Sequence, residues 1–533
     1  MPRRARWLAL AAGFSALAWC VSAAASTQSF VNADVGVTNG KPALLRLNDA
    51  PYLLVDRNDP NRVYLSDMDL QQRVCRFFVS TDRGVSWSAG TAPSLAPYTD
   101  CGIGTAQPQN ERTELMQSSN GTLYYAYQAN ADSQNTVGVG APRSVLLGRS
   151  TDGGRSWSTT PVDASPAPST AADVQVNMEI HVAADPDHPQ NVYAMWRRSY
   201  PTVKGVASRP TRPWMAVSHD GGATFGAPFK MFDEAIGFDG PRPVVVGGKL
   251  YAFYRISAPP ATGQATPPLT TVNVAVSSDQ GRSWQQTRID GANDASEPVP
   301  AYDPTRKAFD VVYDDNNVIG QASGHLNIYF TTSSDGRSWS KPVVLNDDSP
   351  GSNVTQHFYP QISVAPSGRV DVAWYDFRDD AYPPPVAKTP GAPLTLSGSG
   401  IGHGQSVYTT SSSDGGKSWS KNTRVNSVTI DRTKGTWNGQ YFFVIPPTVA
   451  AGPDYTLTAW SDTRNGDANN QFQDIYAGLI TYGAPATATS QSDNTGLVAA
   501  VCAVGGALIG AGAALLAVAL VTRRRTRTRV PVA

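Results

Sequence analysis

The pattern Ser-x-Asp-x-Gly-x-x-Trp occurs six times in this chain of 533 residues, and its recurrence constrains the fold more than any other feature. The copies are Ser80 to Trp87, Ser150 to Trp157, Ser218 to Phe225, Ser277 to Trp284, the one-residue-shorter Ser333 to Trp339, and Ser412 to Trp419. Their aspartates, Asp82, Asp152, Asp220, Asp279, Asp335 and Asp414, stand 56 to 79 residues apart. Each copy reads as a turn. The Ser and Asp side chains hydrogen-bond nearby backbone, Gly takes a positive φ, and the closing aromatic ring folds back over the hairpin.

Upstream of each turn lie apolar, β-branched stretches in pairs, such as Glu114 to Gln117 with Leu123 to Tyr127, and Gln361 to Val364 with Val370 to Trp374. A third stretch, such as Arg143 to Gly148, leads into the turn. Seven such modules run along the chain. The seventh pairs Tyr441 to Ile445 with Thr456 to Trp460 and adds Asp474 to Thr481, but has neither a turn motif nor a fourth strand. The stretch Ser29 to Thr38 is expected to supply that strand and close a ring. Units of about 60 residues with about four strands each are propeller blades. The expected fold is all-β, a β-propeller of about seven four-stranded blades with six as the alternative, spanning 29–482.

The 43 Lys and Arg balance 43 Asp and Glu, but eight of the arginines sit at the two ends, which leaves a body of net charge −8. A mildly acidic body without a basic stripe excludes nucleic acid as a partner. Residues 1–25 read as a secretory signal, with Arg3, Arg4 and Arg6 before an apolar stretch and small residues up to Ala25. Leu497 to Val521 is 25 residues without a charge, about 37 Å as a helix and long enough for a bilayer core of about 30 Å. The tail 522–533, with five arginines, is expected to be cytoplasmic and the propeller extracellular. This makes a single-pass cell-membrane protein with 483–496 as a flexible stalk. Cys20 and Cys502 fall in the signal and the span, so Cys75 and Cys101 are expected to pair in an oxidising compartment.

On its six turn motifs the chain resembles the Asp-box, or BNR-repeat, proteins of the sialidase-like superfamily, over roughly residues 40 to 482. The resemblance implies a propeller with the Asp boxes on its rim, away from any active site. It also implies an exo-acting, retaining glycoside hydrolase working on an extracellular glycan or glycoconjugate. A sialidase uses three arginines for the substrate carboxylate, a tyrosine nucleophile, a glutamate that polarises it and an aspartate as acid/base. Bidentate guanidinium suits a planar carboxylate, and a neutral phenol suits a carbon beside an anion. The matching positions are Arg112 in Glu111-Arg112-Thr113-Glu114, Glu297 in Ser296-Glu297-Pro298, Tyr441 in Gly439-Gln440-Tyr441 and Asp132. Where the other two arginines belong, the chain reads Tyr313-Asp314-Asp315 and Tyr359-Pro360-Gln361. Glu179 with Arg197 or Arg198, then Arg242 and Tyr359, supplies the right residue types in order, one or more blades out of register.

Other readings stand beside these. Inner-strand Arg and Glu commonly pair around a propeller channel, and the twice-repeated Ala-Trp-x-Asp-x-Arg (Trp374 to Arg378, Trp460 to Arg464) reads as an internal ion pair. The acidic loops Asn346 to Asp348 and Asp376 to Asp380 have the oxygen ligands for a structural Ca²⁺ or are solvated loops. The six histidines show no metal-ligand spacing, so no transition metal or other cofactor is expected. The alternative function is a non-catalytic propeller that binds polysaccharide or protein.

Overall fold

The computed structural model describes residues 29–34 and 48–482 apart from 70–71, 100, 102–112, 131–143, 165–173, 201–203, 208, 238–239, 258–269, 290–296, 316–325, 349–355, 380–403, 432–445 and 467–472. Among the described residues no helix is long and apolar enough to cross a membrane. The expected signal, stalk, span and tail lie outside them.

Seven antiparallel sheets follow one another along the chain, each a blade whose strands are counted here from the first, innermost, outward. Their first strands are Asn48–Val55, Glu114–Gln117, Val176–Ala184, Arg242–Val246, Val299–Asp303, His357–Val364 and Thr448–Ala451, in blades 1 to 7. Ser29–Asp34 pairs antiparallel with Asp474–Thr481, from Ser29 opposite Thr481 to Asp34 opposite Tyr476, and so becomes the fourth strand of blade 7. The ring is closed by its own N-terminal segment, as the incomplete seventh module requires. Blade 6 has one further short strand, Ile430–Asp431, beside Gly404–Ser412.

The described first strand of blade 7 is Thr448–Ala451, and the stretch Tyr441 to Ile445 expected for it lies outside the described residues. Pro446 and Pro447, just before it, lack the N–H that a ladder needs.

The second strands are buried along their whole length in blades 1, 2, 5, 6 and 7. Burial on both faces explains their near-continuous apolar runs. They are sandwiched because the core lies between blades: seven apolar clusters among the described residues fill the seven gaps around the ring, the last joining Leu457 and Leu479 of blade 7 to Leu53 and Leu65 of blade 1.

The repeated turns join third to fourth strands and sit on one face. In the turn of blade 2, Ser150 Oγ lies 2.7 Å from Asp152 Oδ1 and accepts the Gly154 N–H at 2.8 Å, while Asp152 Oδ1 accepts the Ser156 N–H at 3.0 Å. Gly154 has φ +83°, and a Cβ there would stand 2.5 Å from Phe77 of blade 1. The same glycine meets Leu457 in blade 1's turn, Tyr124 in blade 3's, Met215 in blade 4's, Tyr251 in blade 5's and Phe330 in blade 6's, always in the preceding blade. The tryptophan completes the clamp: Trp157 packs edge-on to Phe77 at 5.3 Å, and Trp419 to Phe330 at 5.0 Å. Cys75 and Cys101 are bonded, with Cα atoms 5.3 Å apart, and tie the third strand of blade 1 to the chain leaving that blade.

Two outcomes follow. Gly154→Ala meets both a left-handed backbone and Phe77, and is expected to lower unfolding free energy by about 2–4 kcal/mol. Gly205→Ala, with φ +82° and nothing within 4 Å, isolates the backbone part at about 1–2 kcal/mol. Denaturant titration of both reads the inter-blade contact as the difference. Hydrogen bonds from Thr224, Ser283 and Ser418 hold Asp220, Asp279 and Asp414 down from 3.8 to about 2. Since these folded values lie below the unfolded one, the turns contribute fully above about pH 4 and lose their contribution as pH falls to about 2. Melting temperature should drop over that window, and less steeply in Asp414→Asn.

Candidate functional site

Antiparallel order puts the starts of first strands, the ends of second strands and the starts of third strands on the face opposite the repeated turns. There the first strands of all seven blades surround a channel cavity of about 170 Å³, lined among others by Glu114, His181, Arg242, Gln361 and Thr448.

Three of the seven first strands are bulged at this mouth. Ladder pairing skips between Asp49 and Tyr52, between Met178 and His181, and between Phe358 and Gln361. A non-glycine residue takes a left-handed backbone at each skip: Ala50 (φ 60°), Glu179 (φ 55°) and Tyr359 (φ 56°). Such residues cost of order 1 kcal/mol or more each and persist where neighbours over-determine them. The neighbour is in each case the penultimate residue of the preceding blade's second strand. Gln128, with its amide oxygen turned inward, accepts N–H from Ile180 at 2.7 Å and Glu179 at 3.0 Å. Asp314 Oδ2 accepts the Tyr359 N–H at 2.8 Å. Ser461 Oγ donates at 2.6 Å to Asp49 Oδ1, which also accepts the Ala50 N–H at 2.9 Å.

The charged groups of the mouth are buried and mostly closed on one another. Glu179 takes Arg197 bidentately, Nε at 2.5 Å and Nη2 at 3.0 Å. Arg198 pairs with Asp163, bonds Asn177 Oδ1 at 2.9 Å and covers the Trp214 ring at 3.7 Å. Glu114 Oε2 meets His181 Nδ1 at 2.5 Å and its Oε1 accepts the Val182 N–H at 2.9 Å. Arg242 and Glu297 face each other more openly, at 3.9 Å. Burial pushes Asp49 up from 3.8 to about 6, against the donors Ser461, Ala50 and Gln473.

Blade 6 gathers a second cluster. His357 Nδ1 donates to Leu326 O at 2.8 Å, and its Nε2 stands 3.3 Å from Asp348 and 3.5 Å from Asp376. Burial opposes the charged ring, yet Asp376 and Asp348 hold it above its ordinary value. Arg378 bonds Asp376 at 2.8 Å and Asp347 at 2.6 Å. The two acidic loops considered for Ca²⁺ thus meet around the Arg378 guanidinium and the His357 ring. Among the described residues no group of three or more acidic, His or Cys side chains is disposed to hold a metal ion. The repeated Ala-Trp-x-Asp-x-Arg closes internally in both blades, with Trp374 Nε1 to Asp376 at 2.9 Å and Trp460 Nε1 to Asp462 at 2.8 Å, each aspartate taking its own arginine.

Of the residues singled out in the sequence, Arg242 and Glu297 come together at the mouth, Glu179 is there closed on Arg197, and Tyr359 sits in the blade 6 bulge. Arg112, Asp132 and Tyr441 lie outside the described residues. Sequence reasoning passed over Asp49, Glu114 and His181. For Asp49 a signal existed: Ala50-Pro51 and Tyr359-Pro360 both place a proline at the head of an inner strand.

No family model matches the chain, and no curated protein matches it. Among solved structures it is similar to an α-L-arabinofuranosidase of Fusarium graminearum, at 12% identity and TM-score 0.42, over 65% of this chain and 92% of that one. It is also similar to an α-L-arabinanase of Penicillium chrysogenum, at 11% identity and TM-score 0.42, over 85% and 98%. A Hadza microbial sialidase aligns at 12% identity and TM-score 0.43, over 79% and 76%. Likeness at this level carries no argument about chemistry.

Removing one partner of a buried pair strands the other charge, at about 3–5 kcal/mol. Glu179→Gln and Arg197→Met are each expected to destabilise by that much in denaturant titrations. The double variant should cost less than their sum, because no buried charge is then left unpaired.

Proposed function

We propose that this protein is a cell-surface glycoside hydrolase of the Asp-box, sialidase-like type, acting on extracellular glycans from the channel mouth. In this reading residues 1–25 direct secretion, 497–521 anchor the chain, and the propeller faces outward. Tyr441 is the nucleophile, Glu297 takes its phenolic proton as it attacks the anomeric carbon, and Asp132 protonates the leaving oxygen. Water then hydrolyses the glycosyl-tyrosine, with Asp132 taking the water's proton and Glu297 returning its own to the departing phenolate. Arg112 and Arg242 hold the substrate.

The observation that carries the reading is the Arg242–Glu297 pair, brought together 3.9 Å apart and buried at the mouth from the heads of two successive first strands. A guanidinium and a carboxylate at one mouth are the groups that recognise a substrate carboxylate and its hydroxyls. Among the nearest described neighbours of the remaining candidates, Thr113, beside Arg112, and Pro446, five residues after Tyr441, line a hollow of the channel, and Asn130, two residues ahead of Asp132, directly follows the second strand Leu123–Ala129.

A second reading, a non-catalytic propeller that binds polysaccharide or protein, is favoured by the closed state of Glu179 and Glu114, which spends two acids on structure. Hydrolysis separates the two. The segment 26–490 is assayed across about pH 4 to 8 on a fluorogenic sialoside and a panel of other aryl glycosides. The expected result is turnover that falls at least about a hundredfold in Tyr441→Phe and in Glu297→Gln. Turnover kept in both variants retains the hydrolase and discards these roles. No turnover on any substrate overturns the hydrolase in favour of the binding module.

A further inference from the structure

On the face of the repeated turns, opposite the channel mouth, blades 3 and 4 leave a groove between them. Its two hollows hold about 470 and 440 Å³ and share a ridge made by Gln280 and Arg282. That is the size of a small-ligand site.

Two departures from the repeated pattern, both in blade 3's turn, meet Gln280 of blade 4's turn at this groove. Blade 3's turn carries Phe225 where the other five carry Trp, and His219 where the others carry Thr or Ser. Blade 4's turn carries Gln280, at φ 60°, where blades 2, 3 and 6 place Gly153, Gly221 and Gly415 and blade 1 places Arg83, at φ 64°. The turns themselves need none of these changes. Ser218 and Asp220 close blade 3's turn as elsewhere, with Ser218 Oγ 2.7 Å from Asp220 and accepting the Gly222 N–H at 2.8 Å. All three residues line the groove.

The lining specifies a chemistry. Phe225 and Phe229 are half-buried rings that, with Val217, form an apolar floor in the first hollow. Around them stand hydrogen-bonding groups. His219 donates through Nδ1 to Asn191 Oδ1 at 3.0 Å, which leaves Nε2 as its acceptor. The Arg282 guanidinium has no side-chain partner among the described residues, and Gln280 stands beside it. The second hollow is polar, with Asn191, Tyr193 and Ser278. Three carboxylates border the groove, Asp185, Asp220 and Asp279, against one guanidinium. That balance repels acidic sugars, sulfates and phosphates. An apolar floor under a ring of neutral donors and acceptors fits a sugar, whose one face is C–H and whose edge is hydroxyl.

We propose that the groove between blades 3 and 4 binds a neutral sugar residue of a glycan, stacked on Phe225 and Phe229 and held at its hydroxyls by Arg282, Gln280 and His219. It is a site separate from the channel mouth, and it holds a glycan chain whether or not the mouth cleaves one.

The test is calorimetric titration of the full-length protein in detergent with lactose, maltose and cellobiose, and with cellobiuronic acid as the charged comparator. At least one neutral disaccharide should bind, more tightly than the acidic one. Arg282→Gln should weaken binding about tenfold, and Ala227→Trp, which fills the first hollow from an exposed position, should abolish it. Glu297→Gln should leave this binding unchanged, and both groove variants should keep the wild-type melting temperature. The proposal is overturned by no binding of any neutral disaccharide, by tighter binding of the acidic one, or by affinity that survives both groove variants. Binding lost in Glu297→Gln would assign the sugar to the mouth and equally overturn it.

Discussion

Blades 1 to 6 each lean on the one before through a glycine that has no side chain to hold it off. Gly154 against Phe77 and Gly416 against Phe330 are the same contact made in different blades, locked by a serine and an aspartate on one side and a tryptophan on the other. The aromatic core of each gap depends on that approach, because a Cβ would prise the blades apart just where their rings meet. The motif belongs to the hairpin between third and fourth strands. Blade 7 has no such hairpin, since its fourth strand arrives from Ser29–Asp34. Its missing turn is therefore a consequence of how the ring closes, and the closing strand replaces by backbone pairing what the turn supplies elsewhere. An open array of repeats leaves its two ends exposed. Here the ends meet, so every gap has two walls and no blade is terminal.

The opposite face is braced differently. Bulges in blades 1, 3 and 6 twist Ala50, Glu179 and Tyr359 into left-handed backbone, and the groups that hold them come from the preceding blade: Ser461 through Asp49, Gln128, and Asp314. The conformation of each bulge is thus set by a neighbour's side chain rather than by its own strand. Changes in one blade are felt at the mouth of the next, while the turns on the far side hold the blade spacing fixed.

The fold was legible because its signal is local and repeated: eight residues carry the whole turn, and six copies give the blade period. The closing strand was legible for a related reason, since an incomplete last module demands a partner from elsewhere. The strand Thr448–Ala451 of blade 7 was not read from the sequence, because it is short and follows directly on Pro446 and Pro447. The mouth was legible only in part. Arg242 and Glu297 stand at the heads of successive first strands and were found by position. Glu114 with His181, and Asp49 with Ser461, are partners 67 and 412 residues apart. Nothing in the local sequence of either member announces such a contact, because it exists only once two blades are packed.

Burial then decides which of these groups has freedom to act. Glu179 is fully buried and held at both oxygens by Arg197. Freeing it for another partner would strand a guanidinium at a cost of several kcal/mol, which a single substrate hydrogen bond of about 1 kcal/mol does not offset. Asp49 is as deeply buried, and burial pushes its carboxyl up to about 6. It braces the backbone of its own bulge and does not line the cavity. The Glu114–His181 pair lines the channel, but Glu114 is also fixed by the Val182 N–H. Arg242 and Glu297 differ in separation, and separation is what matters for exchange. At 3.9 Å Arg242 and Glu297 attract each other without the close bidentate contact that Glu179 and Arg197 make. By that reasoning Glu179–Arg197 and Glu114–His181 are the frame of the mouth, held by bonds that no single substrate contact offsets.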